Sequence, residues 1–237
     1  MTLSAEDIEA LEFERKFVVP RGRVDAAIAC LDAYCRPDRR YATNEVHSIY
    51  FDTPGLRLLQ EKSDSDLYKT KVRLRWYEDV EAGPAGSPAF LEVKRRVGTR
   101  RQKWRQAVDL DAGWLSRARL NDKRLSDVLD GLTLDPAVAI AGLRPILVVR
   151  YLRRRWDDPL TGARICLDRR ISTPRVNLHL LARASPTALD ANVLEVKNRS
   201  GIAPPNLHFL AAIQAQLTSF SKYSSCFHAA TRLAGAA

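Results

Sequence analysis

The chain has 237 residues, 38 of them Lys or Arg against 28 Asp or Glu, a formal net charge of +10, with 46% hydrophobic residues. That length allows one large domain or two small ones, with a sizeable core. The absence of any run of about 18 apolar residues excludes a membrane-spanning helix, and the basic excess points to an anionic partner: nucleic acid, an acidic membrane surface or a phosphorylated small molecule.

The opening MTLSAEDIEALEFER has no apolar signal core, and Cys30, Cys35, Cys166 and Cys226 make no CxxC pair. A reduced, cytoplasmic protein is expected. The first strand is predicted over 12–19 (EFERKFVV), where Glu12, Glu14 and Lys16 alternate with Phe13, Arg15 and Phe17. Val24, Ala27, Ile28 and Leu31 keep helical spacing, so a helix is predicted over about 22–35. A strand over 45–52 (EVHSIYFD) leads into Thr53-Pro54, which reads as the cap and first turn of a short helix.

The next strand, 67–78, contains KTKVRLRWY: Lys69, Lys71, Arg73 and Arg75 share one face, and Val72, Leu74 and Trp76 the other. EAGPAGSPAF (81–90) reads as a loop. Strands at 89–96 and 101–109 follow. In the first, Glu92, Lys94 and Arg96 share a face; in the second, Arg101, Lys103 and Arg105 do. A helix is predicted over 112–131. The strand over 145–156 (PILVVRYLRRRW) puts Tyr151 and Arg153 on one face and Arg150, Leu152 and Arg154 on the other, with Arg154 and Arg155 read as outer or rim cations. Strands at 162–168 and 193–198 set Arg164 and Asp168, then Glu195 and Lys197, opposite apolar partners. Residues 173–192 read as a connection and 205–233 as one helix. No internal repeat or domain boundary is visible, so a single domain is expected over 1–237.

Many antiparallel-looking strands with few helices predict an α+β fold with a closed or strongly curved sheet. Polar-out alternation is the norm for such sheets, so each charged face taken alone fits a solvated surface. An ordinary outer face mixes signs and uses Thr, Ser and Gln freely. Here Lys and Arg recur from strand to strand with only a few Glu. The other geometry turns these faces inward. Cations crowded in a poorly solvated lumen repel one another, and a phosphate chain would relieve that cost by accepting hydrogen bonds along its length. The few Glu would then suit a divalent cation.

The ExExK start (Glu12, Glu14, Lys16), YFDTP (50–54), KVRLRWY (71–77), FLEVKRR (90–96), RPILVVRYLRR (144–154), ARICLD (163–168), VLEVK (193–197) and SFSKY (219–223) occur in an order that resembles one family. It is the VTC domain, the polyphosphate polymerase domain of the vacuolar transporter chaperone complex and its bacterial relatives, within the CYTH-like triphosphate tunnel metalloenzymes. The resemblance covers 12 to about 230. It implies an antiparallel eight-stranded β-barrel tunnel with helices packed outside and a C-terminal helix. It implies that Lys16, Arg73, Arg75, Lys94, Lys103, Arg153, Arg164 and Lys197 bind triphosphate or polyphosphate, with Tyr151 in the wall and Ser221 and Lys222 reaching in from the C-terminal helix. It implies Mn2+ or Mg2+ on Glu195, helped by Glu12, Glu14 and Glu92.

The expected reaction is transfer of the terminal phosphoryl of ATP or another nucleoside triphosphate to a polyphosphate chain, with Arg73, Arg153, Lys222 and Glu195 as its central residues. Hydrolysis of triphosphate in the same fold is one rival. A non-catalytic binder of polyphosphate or RNA is another. Trp76, Tyr77, Trp104 and Trp156 could stack bases, but Trp76 shares a face with Val72 and Leu74, which disfavours nucleic acid. His47, His179, His208 and His228 show no zinc-type spacing and read as surface or core residues.

Overall fold

The computed structural model describes residues 13–64, 68–80, 88–97, 100–130, 142–199 and 203–232. In chain order these form β1 (Phe13–Val19), α1 (Val24–Tyr34), β2 (Arg36–Pro37), β3 (Thr43–Asp52), α2 (Arg57–Asp64), β4 (Tyr68–Glu78), β5 (Ala89–Val97) and β6 (Arg100–Val108). Then follow α3 (Ala112–Leu115), α4 (Lys123–Asp127), β7 (Arg144–Asp157), β8 (Arg164–Thr173), β9 (Thr187–Ala188), β10 (Asn192–Asn198), α5 (Phe209–Ala212), β11 (Gln216–Leu217) and α6 (Lys222–Arg232).

All the strands join one antiparallel 11-stranded sheet, ordered β11-β1-β10-β8-β7-β3-β4-β5-β6, with β2 added to β7 and β9 to β8. The expected closed, eight-stranded barrel is therefore corrected to an open, curved sheet. Closure needs both edges in register, and among the described residues no ladder joins β6 to β1. The reason lies at the C-terminal end. β11 occupies the free edge of β1, pairing Leu217 with Phe17 and Gln216 with Val18, and Thr218 N donates to Lys16 O at 2.9 Å. Register breaks between Tyr50 and Phe51 and between Arg150 and Leu152 bend the central strands. Arg170, at φ +53°, takes the left-handed conformation within the second break. Past it β8 continues to Thr173, further than the sequence pattern suggested.

Two predicted long helices are broken. The 112–131 segment forms α3 and α4 because it carries two caps: Asp111 accepts from Trp114 N at 2.6 Å and Asp122 from Arg124 N at 3.0 Å. The 205–233 segment is a 3-10 turn over Pro205–His208, then α5, β11 and α6. Gln214 at φ +59° ends its first helical part. The short helix after Thr53-Pro54 is present, beginning at Arg57, whose N–H donates to Thr53 Oγ1 at 3.0 Å. Buried Asp52 takes N–H bonds from Leu58 and Leu59 and the Tyr223 hydroxyl at 2.9 Å, so the YFDTP segment anchors both α2 and α6.

Apolar packing sorts the faces. α3 and α4 cover the outer face of β3–β5 through Leu115 and Leu125 against Ile49, Leu74 and Leu91. α1 and α5 cover the other outer flank through Leu31 and Leu210 against Trp156, Ile165 and Leu194. Trp76 and Trp156 are fully buried in these layers, which removes them as base-stacking platforms. Burial of each such large apolar side chain stabilises by about 1.5–3 kcal/mol. On the inner face, Val46, Tyr50, Val149, Tyr151 and Val193 meet Tyr223, Cys226 and Phe227 of α6. The C-terminal helix thus fills one end of the curved sheet's interior. Among the described residues no helix is long and apolar enough to cross a membrane.

Candidate functional site

The period-two faces read from the sequence coincide in space because the registers align them. Arg73 sits opposite Glu92 and Lys71 opposite Lys94 across β4–β5, while Lys94 meets Lys103 and Glu92 meets Arg105 across β5–β6. Glu14 faces Lys197 and Lys16 faces Glu195 across β1–β10, and Lys197 faces Arg164 across β10–β8. Arg153 faces Asp168 across β7–β8, and Ser48 faces Arg75 across β3–β4. The charged faces of β1, β4, β5, β6, β7, β8 and β10 therefore form one continuous inner lining.

Two ion-pair clusters organise it. In the first, Glu92 Oε2 receives Arg73 Nη2 at 2.6 Å and Nε at 2.7 Å, with Arg105 Nε 3.5 Å from Oε1 and Arg75 Nη1 4.0 Å from Oε2. Burial alone would push the Glu92 carboxyl up; Arg73 and Arg75 outweigh it and hold it well below the usual carboxylate range. In the second, Arg153 Nε is 2.6 Å from Asp168 Oδ1 and its Nη2 3.1 Å from Glu195 Oε2. Lys222 Nζ lies 2.5 Å from Asp168 Oδ2 and 2.7 Å from Glu195 Oε1. Burial opposes the Glu195 charge, but Lys222 and Arg153 hold its carboxyl far below normal. Ser221 Oγ accepts from Lys71 Nζ at 3.2 Å, and Lys16 Nζ donates to Phe220 O at 3.1 Å. The SKY segment is thereby tied to the lining at both strands.

Cations outnumber these carboxylates. A cavity of about 960 Å³ opens at the end away from α6, lined among others by Arg105, Arg153, Arg155, Arg164 and Lys197. Lys94 lies deeper, where burial and then Arg73 and Lys197 push its ammonium down to about 7. A bound phosphate chain favours the charged form, so binding near and above that pH takes up a proton. Between pH 6 and pH 8 the tripolyphosphate affinity of the unaltered protein, taken relative to Lys94→Arg, is expected to fall about tenfold. A flat ratio in titration calorimetry would remove Lys94 from the phosphate path.

Of the residues singled out in the sequence, Lys16, Arg73, Arg75, Lys94, Lys103, Arg153, Arg164, Lys197, Glu14, Glu92, Glu195 and Tyr151 share the inner face, with Ser221 and Lys222 entering from α6. Glu12 lies outside the described residues. Two cations of the cavity were named in the sequence without being assigned to phosphate. Arg155, read as a rim or outer residue, lines the cavity and donates to Tyr41 O at 2.8 Å and Asn44 Oδ1 at 2.6 Å. The signal was its place two residues after Arg153 on an unbroken strand. Arg105 stacks over Phe90 at 3.8 Å and reaches Glu92. Asp168, seen only as part of a charged face, is the fully buried anchor of the second cluster. Arg154 does point outward, 2.7 Å from Asp32 of α1.

For a divalent cation the tunnel offers little unpaired oxygen. Glu92 is held by guanidinium groups and Glu195 bridges Lys222 and Arg153. Glu14 is 3.3 Å from Lys16 and close enough to Glu195 to feel its charge. A Mg2+-like ion takes one or two carboxylates and completes its shell with phosphate oxygens and water, so Glu14 and Glu195 could hold one as a pair only alongside the Lys16, Lys222 and Arg153 pairings they already make. Among the described residues, the group with three converging ligand atoms is elsewhere: Glu45, His47 and Glu78, partly buried on the outer face of β3–β4, can hold a divalent cation.

A curved antiparallel sheet covered outside by helices presents a basic, inward-facing site with sparse paired carboxylates. Solved structures share this fold. A Bacillus halodurans protein provisionally assigned as an adenylate cyclase aligns with TM-score 0.55 and 17% identity over 92% of this chain and 97% of its own. A Pyrococcus horikoshii protein aligns with TM-score 0.53 and 13% identity over 92% and 99%. A Vibrio parahaemolyticus protein, also provisionally assigned as an adenylate cyclase, aligns with TM-score 0.51 and 14% identity over 92% and 97%. No curated protein matches the sequence significantly. The VTC domain family model matches residues 11–231, and the chain belongs to that family.

Proposed function

We propose that this protein is a phosphotransferase that moves the terminal phosphoryl of a nucleoside triphosphate, ATP or another, onto an inorganic polyphosphate chain held in the basic interior. The observation that carries this reading is the continuous inward lining of Lys and Arg, in excess of its carboxylates, around an open cavity of about 960 Å³. Phosphoryl transfer asks the protein mainly for in-line positioning and charge neutralisation, and this lining supplies both without a Ser or Cys nucleophile.

Arg105, Arg155, Arg164 and Lys197 at the mouth would hold the outer phosphates. Arg73, Arg75, Lys94 and Arg153 would spread the charge of the transferred group, with Lys16, Lys103, Tyr151 and Ser221 orienting the chain. Lys222 would act from α6, in contact with Glu195. The nucleophile would be the terminal oxygen of the acceptor chain, forming a new P–O bond as the bond to the β-phosphate breaks and the nucleoside diphosphate leaves. Mn2+ or Mg2+ on Glu14 and Glu195, when bound, would supply Lewis-acid polarisation of the phosphoryl oxygens; Glu92 is the reserve carboxylate.

Hydrolysis of a triphosphate is the second reading. What favours it is α6: Tyr223 and Phe227 fill one end of the interior, which suits a short substrate better than a threading polymer. ATP and Mn2+ are incubated with the protein, with and without a short polyphosphate primer, and the products resolved by gel alongside free phosphate. A primer-dependent ladder is the expected result. Free phosphate without a ladder would establish hydrolysis instead, and neither product with retained polyphosphate binding would establish a binding module.

A further inference from the structure

The Glu45, His47 and Glu78 side chains lie on the opposite side of the sheet from the phosphate lining. Glu45 and His47 come from β3 and Glu78 from the end of β4, where the antiparallel register sets Glu45 directly opposite Glu78. Like charges directly across a strand pair destabilise it, so this pairing calls for a compensating group. His47 Nε2 points between them, 3.3 Å from Glu45 Oε2 and 3.4 Å from Glu78 Oε2. Its side chain is only 8% exposed, and that nitrogen makes no hydrogen bond. A buried ring nitrogen that meets two carboxylates without hydrogen-bond geometry is costly. Burial, the largest influence on the ring, pushes its pKa down despite the two carboxylates.

The surroundings are those of a ligand set. His47 stacks on Trp76 at 5.1 Å and 18°, which fixes the ring plane. Glu78 accepts at Oε1 from Ser116 Oγ at 2.6 Å and from Trp76 Nε1 at 3.0 Å, leaving Oε2 turned toward His47. Hydrogen bonds of this kind to the non-ligating atom orient metal-bound carboxylates. Atoms about 2.0–2.1 Å from a tetrahedral ion stand about 3.3–3.4 Å apart, the spacing seen at His47. Glu45 is 35% exposed, so the group opens to solvent on one side. The nearby cation is Arg150, exposed and paired with His47 across β3–β7; it offsets only part of the charge of the two carboxylates.

We propose that Glu45, His47 and Glu78 form a second, structural metal site for a borderline divalent ion of the zinc class, with water in the remaining position. Imidazole with carboxylates selects such ions over Mg2+. The ion would clamp β3 to the end of β4 and, through Glu78 and Ser116, to α3. Asn44 and Tyr77, the sequence neighbours of two ligands, line the mouth of the phosphate cavity on the other face, so the clamp would hold that wall in place.

The test uses full-length protein stripped with a chelator and titrated with Zn2+, then with Co2+ as a spectroscopic probe. One equivalent is expected to bind, raise the melting temperature and, for Co2+, give the intense visible bands of a tetrahedral site. Mg2+ at equal concentration is expected to give no shift. Glu45→Gln, at an exposed position that should not impair folding, is expected to weaken Zn2+ binding at least tenfold, and His47→Gln further. Glu14→Gln in the tunnel is expected to leave it unchanged. Hydrogen exchange over residues 43–48 and 112–116 should slow on Zn2+ addition. Undiminished affinity in Glu45→Gln and His47→Gln would overturn the site, as would absence of binding, which would leave His47 a buried ring between two carboxylates. None of these readouts depends on the tunnel reaction.

Discussion

Replacing Lys222 by Met is expected to cost about 3–5 kcal/mol of folding stability in urea denaturation at pH 7. The ammonium is buried, 2.5 Å from Asp168 and 2.7 Å from Glu195, and lies 4.9 Å above the Tyr151 ring. Its charge is held by those two carboxylates against the opposing effect of burial. Without it, Arg153 is the remaining direct ion-pair partner of both carboxylates, with Lys16 and Lys197 acting on Glu195 from farther off, in an interior where an undercompensated charge is expensive. The sign with pH follows. In the unaltered protein Glu195 ionises far below its unfolded value, so its stabilisation is present above about pH 4.5 and lost only as pH falls through the low folded value. In the variant Glu195 is free to take a proton early. The stability gap should therefore narrow on acidification below about pH 5. A loss under about 1 kcal/mol, or a gap that widens in acid, would show that the cluster is not what holds α6 in place.

Arg75→Met should do the reverse. Its guanidinium is as buried as Lys222, yet its close partners are neutral: Ser48 Oγ at 3.0 Å and the Tyr151 hydroxyl at 3.1 Å. The nearest carboxylate, Glu92, is 4.0 Å away and already bound at 2.6 Å by Arg73. A buried cation with incomplete compensation is strained until an anion arrives. Its removal should change stability by less than about 1.5 kcal/mol, because two neutral hydrogen bonds are lost while repulsion with Arg73 is relieved. The turnover of a triphosphate substrate should fall about 10²- to 10³-fold, the usual loss for one preorganised donor to developing charge. Unfolding on the scale expected for Lys222→Met, with unchanged activity per folded molecule, would reassign Arg75 to structure. The two variants together separate cations that hold the fold from cations that wait for phosphate.

Much of the site was legible in the sequence because strand side chains alternate strictly. KTKVRLRWY, FLEVKRR and VLEVK each declare a charged face and an apolar face, and the registers then bring Arg73 to Glu92 and Lys197 to Arg164. Arg155 obeys the same rule, two residues after Arg153, and lies at the cavity mouth, whereas Arg154 between them turns out to Asp32. Local signals also carried the short helix after Asp52-Thr53. The broken helices at 112–131 and 205–233 were less legible, since apolar spacing continues through both while Asp111, Asp122 and the left-handed Gln214 divide them.

What the sequence by itself determined is therefore the eight long strands, the face each presents and the family of the chain; the two-residue strands β2, β9 and β11 were not legible in it. Only the tertiary structure decided how the inner carboxylates are paired and whether the sheet closes. Glu195 could have been a free ligand or an ion-pair partner, and nothing within five residues of it distinguishes the two. Lys222, 27 residues away, supplies the ion pair when α6 enters the interior, so Glu195 could serve a metal only while shared with Lys222 and Arg153. Closure was likewise settled at a distance, when Gln216–Leu217 took the edge of β1. The Glu45–His47–Glu78 group arises in the same way: its ligands sit on two strands, and only the β3–β4 register brings them together. Alternation is a property of each strand and can be read locally, whereas partners and edges depend on where the rest of the chain lies.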